Sequence, residues 1–195
     1  MAMSEQTPIS SPFGYRSTAR EVVAGINLAG KSALVTGGYS GLGKETVRAL
    51  AEAGADVVVG ARRPDVASAD LESVEGRVTI FPLDLSDPDS TDAFAATVKS
   101  HTNKIDILIN NAAIMACPLA RDDRGYESQF ATNHLGHFQL AARLWPLLAA
   151  AGNARVVALS SSGHARNGLD LDDVHFERRT YDKWTAYGQA KSANA

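Results

Sequence analysis

The chain has 195 residues, 45% of them apolar, a formal net charge of −3 and a single cysteine. That length builds one domain with a real core and falls short of two, and the scattered Lys and Arg form no polyanion-binding stripe. Cys117, being alone, rules out an intrachain disulfide and fits a reducing compartment, so nucleic-acid binding and a disulfide scaffold drop out as function classes.

Residues 1–30 read as a polar leader, rich in Ser, Thr and Pro over 1–20, with space for one or two helical turns between Ala19 and Ile26. Residues 31–195 read as a single domain. No basic segment followed by an apolar core opens the chain, so no secretory signal is expected. The longest apolar stretch, Phe138 to Ala151, is broken by Gln139, Arg143 and Pro146 and is shorter than the roughly 20 residues that cross a bilayer. A cytoplasmic protein with no membrane span is expected.

The domain opens on an apolar run from Ser32 to Thr36, followed by three spaced glycines at 37, 41 and 43. An amphipathic segment from Leu42 to Ala53 comes next, with Leu42, Val47, Leu50 and Ala51 on one face and Gly54 closing it. This is how a strand, a tight turn and a helix N-terminus are written. Glycines there let the backbone touch a ligand, and the helix start favours a diphosphate, although glycine-rich turns also occur without one. Thr36, Gly37, Tyr39, Ser40, Gly41, Leu42 and Gly43 are the candidate cradle.

Asp56 to Gly60 is a short, nearly all-apolar run, the mark of a strand covered on both faces. Strands are then expected over 77–82, 105–110 and 155–160, with helices over 88–100, opened by Asp87, and over 127–150, bent by Pro146. The alternation predicts an α/β fold, a doubly wound parallel sheet of Rossmann-like strand order 3-2-1-4-5, with ligands at the carboxyl ends of the strands.

At the end of the second strand stand Arg62 and Arg63, with no carboxylate to take the ribose 2′-hydroxyl of NAD. Guanidinium groups there suit a 2′-phosphate, so NADP is favoured and NAD stays open; the plainer reading is two solvated arginines starting a helix. Asp84 and Leu85 are placed against the adenine, and Asn111 and Ala112, after the fourth strand, against the middle of the cofactor. If the next position, Ala113, needs a positive φ, alanine is strained there.

Tyr187 and Lys191, four residues apart, share a helix face. A nearby cation stabilises the phenolate and brings a tyrosine toward useful acid–base work. Ser160, Ser161 and Ser162 end the fifth strand, and Asn133 lies within the long helix. His134 and His137, with Cys117 and His164 elsewhere, lack a metal-ligand spacing, and no metal is expected.

Thr36 to Gly43, Asn110-Asn111-Ala112, Asn133, the serine run and Tyr187 with Lys191 occur in the order seen in short-chain dehydrogenases, which the chain resembles from about Phe13 onward. The segments 114–118 and 129–138 look like the retinol-dehydrogenase and WW-domain-oxidoreductase-like branch. The resemblance implies that Ser161 holds the substrate oxygen, Tyr187 exchanges its proton, Lys191 binds the ribose, and Asn133 anchors a relay water. It also implies hydride transfer between nicotinamide and an alcohol, aldehyde or ketone, and a homodimer through the long helices. The family continues well past Lys191, so the C-terminal part of the fold is expected to be missing. Two readings therefore stay open: an NADP-dependent oxidoreductase, or a truncated, inactive NADP-binding or scaffold protein.

Overall fold

Five short runs of aliphatic residues are the strands of one sheet in the computed structural model, which describes residues 10–165 and 168–195. They are β1 (Ser32–Thr36), β2 (Asp56–Ala61), β3 (Arg77–Pro82), β4 (Ile107–Asn110) and β5 (Arg155–Ala158), all parallel in the order β3-β2-β1-β4-β5. Side chains alternate between faces, so the all-apolar runs supply two cores at once. Leu34, Val58 and Leu108 pack on one side with Phe94, Leu140 and Leu144. Val35, Val57 and Val59 pack on the other with Val47, Leu50 and Leu71.

Helices α1 (Ala19–Val22), α2 (Gly41–Glu52), α3 (Pro64–Leu71) and α4 (Pro88–His101) precede three later ones, α5 (Ser128–Phe130), α6 (Gly136–Ala150) and α7 (Lys183–Ser192). α2 and α3 bring their apolar residues to one core, α4 and α6 to the other. Gly54, at φ 99°, turns the chain after α2 as a glycine C′ residue does. Asp87 caps α4 by accepting the Asp89 N–H, and Pro88 occupies the first turn, where its missing N–H costs nothing.

Several elements differ from their sequence reading. β4 begins at Ile107, because Ile105 gives its N–H to the Leu147 carbonyl of α6. β5 stops at Ala158, and the Leu159 carbonyl turns to the Lys191 ammonium instead of a strand. Leu42, expected on the buried face of α2, is 77% exposed, because it sits in the first turn at the rim of the glycine loop.

The helix expected over 127–150 is three pieces. Glu127, fully buried, caps α5 by accepting the N–H groups of Gln129 and Phe130. Ala131–Leu135 then winds as a π-helical turn, with the Gly136 N–H reaching back to the Ala131 carbonyl, before α6 runs on through Pro146. Such wide turns are frequent at functional sites. Gly136 is required there, because a Cβ would lie 2.2 Å from the Leu85 carbonyl oxygen.

Of the leader expected over 1–30, residues 1–9 lie outside the described residues. The remainder carries α1, opened by a capping box between Thr18 and Glu21, with Arg20 forked onto Glu52 of α2. Among the described residues no helix is long and apolar enough to cross a membrane. Every residue of β5 is exposed, with Val156 and Val157 close to half so.

Candidate active site

The carboxyl ends of β1 and β4 meet at one hydroxyl. Thr36 Oγ1 accepts the backbone N–H groups of Asn111 and Ala112, each at 3.0 Å, and Asn111 Nδ2 returns a bond to the Thr36 carbonyl at 2.8 Å. The exit of β4 is thereby clamped to the glycine turn. Gly37 and Gly41 hold φ of 62° and 51°, backbone that side chains strain. A Cβ on Gly37 would lie 3.0 Å from the Cβ of Ala112, and one on Gly43 only 2.5 Å from the Gly37 carbonyl oxygen. Ser40, the residue before α2, makes no side-chain cap, so the first N–H groups of that helix stay open to an anion.

Thr36, Gly37, Tyr39, Ser40, Gly41, Leu42, Gly43, Arg62, Asp84, Leu85, Asn111 and Ala112 all line one groove of about 640 Å³. Ile114, Met115 and Thr132 line it as well. Arg62 has no hydrogen-bond or ion-pair partner among the described residues. Asp84 is tied down on one oxygen by the Ser86 N–H and hydroxyl. Ala113 escapes the strain considered for it: among the described residues, the non-glycine residues at positive φ are Ala116 and Phe176.

Ser161, Tyr187, Lys191 and Asn133 are not on the groove wall; the first three form a second cluster beside it. A Cβ built on Gly163 would meet the Tyr187 ring at 3.3 Å and Ser161 Oγ at 3.5 Å, so hydroxyl and phenol ring flank the same small residue. Lys191, one helical turn from Tyr187, holds its ammonium 5.9 Å from that ring's centroid. Burial lowers the Lys191 pKa from its usual value, and the ammonium donates to the Leu159 carbonyl at 2.8 Å. Ser160 donates to the Lys191 carbonyl, so it anchors α7.

Asn133 joins the two regions. Its amide donates to the Ile114 carbonyl and accepts the Ile114 N–H, both at 2.9 Å, while its own carbonyl receives Asn194 Nδ2 at 3.0 Å. One turn earlier, Gln129 takes the Ala116 N–H on its oxygen and donates to the Tyr181 hydroxyl and the Lys183 carbonyl. Tyr181 in turn donates to the Cys117 carbonyl, and burial raises its pKa to about 12, keeping the phenol a donor. Sequence reasoning missed Gln129. Its four-residue spacing from Asn133 was the available signal.

A family described as short chain dehydrogenase matches residues 31–170. The chain belongs to that family. A "probable oxidoreductase" of Streptomyces antibioticus is 49% identical over 175 residues, 87% of this chain and 58% of the relative. Retinol dehydrogenase 13 of Mus musculus is 38% identical over 169 residues, 84% of this chain and 51% of the relative, which agrees with the retinol-dehydrogenase-like branch. The crystal structure of a metagenomic short-chain oxidoreductase in complex with NADP superposes with a TM-score of 0.68 at 25% identity, covering 86% of this chain and 72% of that one. This short-chain dehydrogenase spans a little over half the length of these two curated relatives.

Proposed function

We propose that this chain carries the cofactor and proton-transfer site of an NADP-dependent oxidoreductase acting on an alcohol, aldehyde or ketone. The carrying observation is the juxtaposition of an anion-ready glycine groove with Ser161, Tyr187 and Lys191 at one end of one sheet. The diphosphate would rest on the N-terminus of α2, Arg62 would pair with the 2′-phosphate, and Asp84 would offer its free oxygen to the adenine amine. Asn111 and Ala112 would face the ribose and nicotinamide. Bound NADP would supply the hydride chemistry. Ser161 would hold the substrate oxygen, Tyr187 would exchange its proton, and the Lys191 ammonium would stabilise the phenolate and reach the ribose, with Asn133 anchoring a relay water.

Fluorescence titration with NADPH and NADH, followed by a turnover screen on aldehydes and ketones, tests this reading. Tight NADPH binding without turnover would favour the non-catalytic binding role, and weak binding of both cofactors would end the proposal. Arg62→Asp is expected to weaken NADPH by roughly ten- to hundredfold, the loss of a charge-assisted phosphate contact, and to leave NADH within about threefold. Equal losses for both would remove Arg62 from the 2′-phosphate.

The proposal includes a cytoplasmic location, checked by cell fractionation, and a homodimer. α6 exposes Phe138, Ala142 and Trp145 at helical spacing, an apolar stripe of the kind that marks an interface. Light scattering is expected to return the mass of two chains, and Trp145→Glu the mass of one. A monomer in the unaltered chain would remove the dimer.

A further inference from the structure

Thr36 of β1 and His137 of α6 are both buried, and their side chains meet at 2.8 Å, Oγ1 to Nε2. The direction of that bond follows from valence. The Thr36 hydroxyl already accepts two backbone N–H groups, from Asn111 and Ala112, which occupies both of its lone pairs. Its one proton is left for the imidazole, so Nε2 carries none. The other ring nitrogen lies 3.1 Å from the Asn133 carbonyl, which can only accept, so Nδ1 carries the hydrogen. Two independent partners, on different elements, specify the same tautomer.

We propose that His137, neutral and bearing its hydrogen on Nδ1, is the positioning residue that fixes the groove floor where the exits of β1 and β4 meet the π-helical turn. The functional consequence rests on the dinucleotide reading above; the geometry does not. A continuous path of polar bonds runs from the Asn111 and Ala112 amides through Thr36, His137 and Asn133 to Ile114. Asn111, Ala112 and Ile114 at its ends line the groove, while His137 sits behind it. A positively charged ring would turn Nε2 into a donor facing a hydroxyl with no lone pair to spare, and the path would break at its centre. Among the described residues, the ionisable groups whose charge reaches the ring are Lys191 from α7 and His134 from the turn before α6, and both are basic. They oppose a charge on His137. Conversely, a neutral His137 leaves Lys191 as the cation beside the proposed proton-transfer site.

The test uses the full chain labelled with ¹⁵N-histidine and long-range ¹H–¹⁵N correlation spectra. The expected result is one ring in the Nδ1–H form at neutral pH, assigned by its absence from His137→Gln, and still in that form at pH about 5.5, where exposed imidazoles are mostly charged. An Nε2–H pattern for that ring, or a charged ring at that pH, overturns the proposal. His137→Phe keeps a planar ring and removes both bonds, whereas His137→Gln keeps a carbonyl for the Thr36 hydroxyl. Amide hydrogen exchange at Asn111 and Ala112 is expected to quicken about tenfold in the Phe variant, with NADPH weakened to a similar degree, and to return within about threefold in Gln. Unchanged exchange in a folded Phe variant, or a Gln variant no better than Phe, overturns the positioning role. If Phe does not fold, the tautomer and the exchange rates of Gln against the unaltered chain still decide it. A chain that binds no NADPH defeats the dinucleotide reading, and the spectra and exchange rates then judge His137 by themselves.

Discussion

Tyr187→Phe is expected to cut turnover by about 10²- to 10⁴-fold while NADPH affinity stays within about threefold of the unaltered chain. The substitution removes one oxygen and keeps the ring that packs against Gly163 and lies near the Lys191 ammonium. Packing, helix and groove are therefore conserved, and only the proton goes. The dinucleotide groove does not include Tyr187, so cofactor binding should be nearly indifferent to its hydroxyl. The paired measurements are single-turnover hydride transfer, followed by nicotinamide absorbance, and a fluorescence titration. Full turnover in the Phe variant would remove Tyr187 from the chemistry, and loss of NADPH binding in proportion would make the phenol structural.

Between pH 6.5 and pH 4 the fold is expected to lose roughly 3 kcal/mol through His137 alone. Burial, with a smaller push from the Lys191 and His134 charges, lowers the pKa of this ring from 6.5 to about 4. In the unfolded chain it returns to its ordinary value and takes up a proton that the folded chain refuses. The sign follows: the stability this neutral ring contributes is complete above about pH 6.5, drains away as the pH falls through the window, and declines no further below about 4. Carboxylates held below their usual range, such as Asp106 beside Lys31, release their own contribution at still lower pH. Urea unfolding at pH 7.5 and pH 4.5 measures the loss, and His137→Gln should flatten most of it. An equal slope in both chains would place the acid sensitivity elsewhere.

The sheet was legible because its strands are short, aliphatic on both faces and bounded by turn residues, and Asp87 with Pro88 announces α4 in the sequence itself. The cradle was legible for a related reason: Gly37, Gly41 and Gly43 are each forced by contact or torsion, and forced glycines leave a mark. The π-helical turn left none. Ala131 to Leu135 has ordinary helical propensity, and its departure is bound up with distant partners, the Leu85 backbone against Gly136 and the Asn194 amide on Asn133. Leu42 escapes its helical spacing because spacing alone counts a residue with the core wherever the helix begins. In sequence His137 pairs only with His134, without metal-ligand spacing, whereas its partner in the fold, Thr36, stands 101 residues earlier. Pairings of that range are set by topology and are invisible to local pattern.

Gly37 and Ala112 face each other across the cradle, so close that a single carbon added at 37 would come within 3.0 Å of the Ala112 methyl carbon and 3.1 Å of its Cα. The torsion at 37 and the nearness of 112 thus act as one constraint, held by two turns whose only sequence relation is that the sheet sets their strands side by side. The opening offered to a diphosphate is accordingly set jointly: a side chain at 37 must either pry the turn away from Ala112 or push the exit of β4 aside.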